Sequence, residues 1–172
     1  LLEMNAALVE LSMTDKLTGL KNRRFFQEQL EQHFNRFHET AEPFSLCILD
    51  IDHFKKVNDT YGHQVGDDVL VQLAQILQIQ VRLEDIIARY GGEEFIILLP
   101  ETEIHVAKEI GEKIRHTVEQ DGWPTGRLTI SMGIATVTSE DTETTLIKKA
   151  DEALYGSKEH GRNKVTHFHE LK

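Results

Sequence analysis

A single cysteine, Cys47, stands among the 172 residues. No disulfide can staple the chain internally, and a reduced, cytoplasmic setting fits. Cys47 lies inside an apolar run, where a small buried hydrophobe competes with a catalytic thiol as its role. Basic residues are also short: 19 Lys and Arg face 29 Asp and Glu, for a formal net charge of −10. That balance argues against wrapping a nucleic-acid polymer, which requires basic surface. It does not argue against one small nucleotide held through a divalent cation. No run approaches the length of a membrane span, and no segment resembles a secretory signal. Prolines number three, and neither repeats nor low-complexity tracts occur. The stretch Asp121-Gly122-Trp123-Pro124-Thr125-Gly126 therefore reads as a turn, not a linker, and one domain with a sizeable core is expected. The sequence opens on Leu1 instead of Met, so the expectation is a piece of a longer chain, with upstream sensory or membrane-anchoring segments in the parent protein.

Hydrophobic periodicity divides the chain. Leu1, Met4, Leu8 and Leu11 follow a 3-4-3 rhythm, either one amphipathic helix packed on the domain or a dimer seam continuing upstream. Phe26, Leu30, His33, Phe34 and Phe37 mark a helix opening near Asn22. Phe44–Leu49 is a continuous apolar strand, and Val65, Val69, Leu73 and Leu77 mark a second helix. Ile86–Tyr90 and Glu93–Leu99 read as a hairpin whose Gly91-Gly92 turn would use positive φ at both positions. Ile104, Ala107, Ile110, Ile114 and Val118 mark a third helix, Leu128–Val137 a strand bent at Gly133, and Leu146, Ile147, Ala150 and Leu154 a last helix stopped by Gly161. From Phe44 to Val137 the order is βαββαβ, which predicts an α+β fold with an antiparallel sheet and two helices on one face.

Acidic residues gather at strand ends. Glu93 and Glu94 follow the Gly-Gly turn, and Asp50 and Asp52 end the first strand. Adjacent carboxylates repel and favour water or a cation. Hard cations such as magnesium take one or two carboxylates plus phosphate oxygens, so Asp50, Glu93, Glu94 and the Ile51 carbonyl are candidate ligands, against a merely solvated acidic rim. Lys55 follows closely. Lys158 and Arg162 share a face if the last helix runs through His160, and could hold phosphate oxygens or simply end a charged helix. Asn58 and Asp67 flank Tyr61-Gly62-His63. An ionised Asp accepts hydrogen bonds only; a buried one would select guanine, whose pairing edge offers donors, while an N-cap at Asp67 is the plainer role. Arg82 and Asp85 could form an ordinary surface ion pair on a helical turn. His167 and His169 alternate near the end, where a solvated tail is expected in preference to a metal site lacking a third ligand.

Together these residues resemble the GGDEF family of diguanylate cyclases, from about Thr14 to Asn163. The motifs in register are Asp15-Lys16-Leu17-Thr18-Gly19-Leu20-Lys21-Asn22-Arg23, Asp50-Ile51-Asp52-His53-Phe54-Lys55 with Asn58-Asp59, Gly62-His63 and Gly66-Asp67, then Gly91-Gly92-Glu93-Glu94-Phe95, Ser131-Met132-Gly133, and Tyr155 through Lys158 to Gly161-Arg162-Asn163. The signature carries Glu93 where the family name has Asp. The resemblance implies a palm-like fold, as in nucleotide cyclases and ferredoxin-like domains. A catalytic domain over 14–172 would follow a short signalling helix over 1–13 that ends a linker from an upstream domain. It implies condensation of two GTP into cyclic di-GMP and two pyrophosphates, with magnesium or manganese, by a homodimer holding one GTP per subunit. It implies Asp50, Ile51, Glu93 and Glu94 as metal ligands, Glu93 as general base, Lys55 as charge stabiliser, Asn58, His63, Asp67 and Leu17 around the guanine and ribose, and Lys158 and Arg162 on phosphate. It further implies a product-inhibition site at Arg82 and Asp85, with Arg89 as helper.

Overall fold

The computed structural model describes residues 4–5 and 12–171. Of the heptad positions, Leu1, Leu8 and Leu11 lie outside the described residues. The elements run β1 (Lys21–Asn22), α1 (Arg23–Thr40), β2 (Ser45–Ile51), α2 (Phe54–Tyr61), α3 (His63–Gln80), β3 (Ile86–Arg89), β4 (Glu94–Leu99), α4 (Ile104–Gln120), β5 (Ile130–Thr136), α5 (Glu143–Glu159) and β6 (Lys164–His167), closed by a 3₁₀ turn over Phe168–Glu170. One six-stranded sheet has the order β1-β3-β4-β2-β5-β6. Its four inner strands pair antiparallel, as the βαββαβ order requires. The two short edge strands, β1 and β6, add parallel pairings that the sequence pattern did not announce.

β2 is buried along its whole length because both faces of the sheet are covered. Cys47, Leu49 and Ile51 point into a core shared with α3 and α4. Leu46 and Ile48 point into a second core shared with α1 and α5. The two helices of the βαββαβ unit, α3 and α4, therefore share one face as expected, with α2 beside them, while α1 and α5 cover the other face. Side chains alternate along a strand, so Asp50 belongs to the α1/α5 side, and that face carries the candidate site.

Local chemistry sets the helix ends. The Asn22 side chain accepts from Phe25 N at 3.1 Å and caps α1. Thr142 and Thr145 form a reciprocal capping box on α5, a device worth about 1 kcal/mol. Gly62, at φ 89°, turns the chain between α2 and α3. Burial raises the Cys47 thiol well above its usual range, which suits a core hydrophobe and not a nucleophile. His167 is buried, not part of a solvated tail: its Nε2 meets Thr136 Oγ1 at 2.9 Å and its Nδ1 accepts from His169 N at 3.0 Å. Burial, aided by neighbouring His169, pushes its imidazole down to about 4. No helix among the described residues is long and apolar enough to cross a membrane.

Candidate active site

The site begins where β2 stops. Asp50 stands opposite Glu94 on β4 and opposite Ser131 on β5. Pairing with β4 ends at Asp50, while pairing with β5 runs one residue further, to Ile51. Asp50 is buried, and its Oδ2 accepts a hydrogen bond from Lys158 Nζ at 2.5 Å. Its Oδ1 is buried with no hydrogen-bond partner. Leaving such an oxygen unsatisfied costs about 1–3 kcal/mol, more where the group is charged.

Further carboxylates crowd this oxygen. Burial, and then the charge of Asp50, raise Glu93 above the usual range. Burial followed by Asp151 and Asp50 raises Glu94 likewise, although Lys158 and Arg23 pull the other way. Asp151 is raised by burial as well. Four carboxylates thus share two cations, Lys158 and Arg23, and Arg23 lies over the Tyr90 ring at 4.2 Å. An orphaned hard oxygen inside a cation-poor cluster fits a divalent ion of the magnesium or manganese type. Among the described residues no three acidic, His or Cys side chains already form a metal cage. The Lys158 ammonium is what neutralises Asp50 here.

The hairpin is built differently from a two-glycine turn. Neither Gly91 nor Gly92 has positive φ. Glu93 lies in the loop, and β4 starts at Glu94, whose carbonyl accepts from Tyr90 N at 2.8 Å and Gly91 N at 3.1 Å. Arg89 holds the loop from outside, donating through Nε and Nη2 to the Gly92 carbonyl at 3.1 and 2.7 Å. Its Nη1 reaches Asp15 at 3.3 Å. Although burial opposes it, bonds from Thr18 and the charge of Arg89 hold the Asp15 carboxyl below its usual range. The opening motif is thereby tied to the hairpin. Among the described residues Arg89 makes these contacts and no ion pair with Asp85.

The remaining candidates fall into three groups. Lys55 sits exposed in the first turn of α2, and Asn58 one turn later packs against α3. A Cβ on Gly66 would lie 1.9 Å from Asn58 Oδ1, so glycine is needed for that crossing. His63 and Asp67 are exposed on α3, where Gly62 and not Asp67 is the N-cap. Leu17 is 36% exposed in the turn closed by Asp15 and Thr18. On α5, the helix ends at Glu159 and Arg162 lies beyond it at φ 63°. The shared helix face expected for Lys158 and Arg162 therefore does not exist. Instead each leans toward one acid: Lys158 on Asp50, and Arg162 Nη1 at 4.0 Å from Asp52 Oδ1. Arg82 and Asp85 form a multidentate pair in the loop before β3, where Arg82 Nη2 also donates to Thr102 Oγ1 at 2.5 Å and the Asp85 side chain is fully buried.

Two contributors were missed. Asp151 precedes Lys158 by seven residues, two helical turns on one face, a spacing visible in sequence. Arg23 joins the site only through long-range contacts, its guanidinium lying over the Tyr90 ring.

The chain matches the family described as "Diguanylate cyclase, GGDEF domain" over residues 12–164. It belongs to the GGDEF family. Among relatives, it is 43% identical over 164 residues to the response regulator PleD of Caulobacter vibrioides, covering 91% of this chain and 36% of that protein. It is 40% identical over 171 residues to diguanylate cyclase A of Treponema denticola, covering 94% and 46%. The chain thus spans less than half the length of both. Its fold is similar to the crystal structure of the coiled coil and GGDEF domain of DgcB from Caulobacter crescentus in complex with c-di-GMP, with a TM-score of 0.91 at 34% identity, covering 96% of this chain and 90% of that one. In this GGDEF domain the signature hairpin is thus the rim of an acidic cluster whose other wall is α5.

Proposed function

We propose that this GGDEF domain condenses two GTP molecules into cyclic di-GMP and two pyrophosphates. The observation that carries the reading is the orphaned Asp50 oxygen between Glu93, Glu94 and Lys158. Asp50, the Ile51 carbonyl, Glu93 and Glu94 are the groups that would hold magnesium or manganese. That ion supplies positive charge for phosphate and acidifies a hydroxyl.

The chain's own groups supply the rest. A ribose 3′-oxygen forms a bond to the α-phosphorus of the other GTP, and the bond from that phosphorus to the leaving pyrophosphate breaks. Glu93 takes the hydroxyl proton, and its raised pKa moves it toward the basicity a general base needs at neutral pH. Lys158, already an ion-pair partner, and Arg162 grip phosphate oxygens, and Lys55 adds positive charge at the reacting centre. Asn58, Asp67, His63 and Leu17 are the groups that would receive the guanine and ribose. One GTP per domain requires two copies to meet, so the enzyme works as a homodimer and the rate depends on proximity. An upstream sensory domain acting through residues 1–13 would control that approach. Altered upstream dimer geometry with unchanged activity would count against this coupling.

Incubating the purified protein with magnesium and GTP is expected to yield cyclic di-GMP, and ATP in its place no cyclic dinucleotide. Failure of a dimeric preparation to cyclise GTP would sink the reading. Feedback at Arg82 and Asp85 is part of it, supported by the c-di-GMP complex of the DgcB domain. Arg82→Ala is expected to raise the product concentration needed for half-inhibition about tenfold, the loss of roughly 1.4 kcal/mol of binding. Equal inhibition curves for the two proteins would remove the assignment.

A further inference from the structure

Gly161, Arg162 and Asn163 follow one another with φ of 113°, 63° and 44°. Glycine takes this left-handed path freely, but arginine and asparagine do so at a cost. Something must hold them. The Arg162 N–H donates to the Ser157 carbonyl at 3.0 Å. The Asn163 N–H donates to Asp52 Oδ2 at 2.9 Å, across 111 residues of sequence. The Asn163 side chain is also fixed, accepting from Arg115 at 3.0 Å and donating to Glu119 at 2.5 Å.

Asp52 is the buried centre of this arrangement, with its side chain 1% exposed. Its Oδ1 accepts from Ser131 Oγ at 2.6 Å, and its Oδ2 from Thr129 Oγ1 at 2.8 Å as well as from Asn163. Three donors on two oxygens suit a carboxylate, which only accepts. The hydroxyls can rotate, but the backbone N–H cannot. Arg162 stays 4.0 Å from Oδ1, beyond hydrogen-bond range yet inside the field of the charge. Its guanidinium makes no hydrogen bond among the described residues, so its donors remain available to a ligand.

We propose that Asp52 is a positioning residue for the phosphate grip: it pins the 161–163 loop to the end of β2 and so sets where the Arg162 guanidinium stands. The inference rests on the phosphate role given above to Arg162. It makes a separate claim, that Asp52 acts on the triphosphate through Arg162 and not on the base.

The test uses 3′-deoxy-GTP, which lacks the attacking hydroxyl, and 3′-deoxyguanosine, which lacks the phosphates, titrated by NMR with magnesium present. Asp52→Ala is expected to bind 3′-deoxy-GTP about tenfold more weakly, the scale typical of supporting contacts, with affinity for 3′-deoxyguanosine unchanged. Added to Arg162→Ala, it is expected to cause no further loss, because both act on one contact. Asp52→Asn keeps a carbonyl for the Asn163 N–H and is nearly isosteric. It is expected to lose about threefold, and it decides the matter if the alanine variant does not fold. Unchanged 3′-deoxy-GTP affinity, an equal loss for both probes, or independent losses in the double variant would overturn the positioning role. If the parent protein itself fails to bind 3′-deoxy-GTP, the GTP reading of the site falls first, before any variant is compared.

Discussion

Glu93→Gln is expected to lower the turnover of GTP by two to four orders of magnitude while raising the melting temperature. Both effects come from one charge. The loop places Glu93 beside Asp50, and burial with that neighbour lifts its pKa above the ordinary carboxylate value. A carboxylate raised in this way is a better base near neutrality, and general base catalysis contributes roughly 10²–10⁴-fold. The same shift means that the folded state binds the proton more tightly than the unfolded chain. The stability from that proton is present below the unfolded pKa and is lost as pH rises through the folded one. At neutral pH the ionised Glu93 therefore works against folding. Glutamine keeps the shape and removes the repulsion. Rates should separate along pH too: the parent loses activity as pH falls and Glu93 takes up a proton, and the residual rate of the variant lacks that limb. Turnover assays across pH, with thermal melts on the same samples, check both halves. Near-normal cyclisation by Glu93→Gln would remove the residue from the proton step.

How much of this was legible in sequence depended on distance along the chain. The apolar runs that became β2 and β4 stood out because doubly covered strands are continuously hydrophobic. The helices showed their buried faces at Phe26-Leu30-Phe34 and Val69-Leu73-Leu77. β1 was too short to carry a pattern, and β6 reads Lys-Val-Thr-His, hardly a core strand by composition. Asp50 and Glu93 were visible as acids at strand ends. The ion pair of Asp50 with Lys158 spans 108 residues, and no periodicity reports such a contact. Gly91-Gly92 suggested positive φ, yet Arg89 and Asp15 brace the loop without it. Local pattern thus located the strands that carry the acids, while the cations that neutralise them arrive by packing of α5, with Lys158, and α1, with Arg23, on the sheet.

That packing has one narrow point, and Gly133→Ala should break it. A Cβ at Gly133 would stand 2.1 Å from Leu154 N, 2.2 Å from Ala150 O and 2.7 Å from Leu154 Cα. All three are backbone atoms of α5, so no side-chain rotation relieves the clash. The helix must lift from β5, or β5 must bend away from β2. Overpacking costs about 1–3 kcal/mol where side chains can adjust, and here it should reach at least the upper end. For a domain of this size, about 3 kcal/mol lowers the melting temperature by roughly 10 °C. Lys158 lies one turn beyond Leu154, and Arg162 follows on the loop that α5 launches. A folded remnant of the variant should therefore also bind 3′-deoxy-GTP more weakly. Gly92→Ala is the matched control, since a Cβ there meets nothing within 4 Å and its φ is not left-handed. It should melt with the parent. Any activity it loses then belongs to what the hairpin touches during catalysis, whereas Gly133→Ala loses the fold and the phosphate grip together. Thermal melts and ligand titration on the two variants separate these outcomes, and an unshifted melt for Gly133→Ala would refute the idea that α5 is seated on the bare backbone of β5.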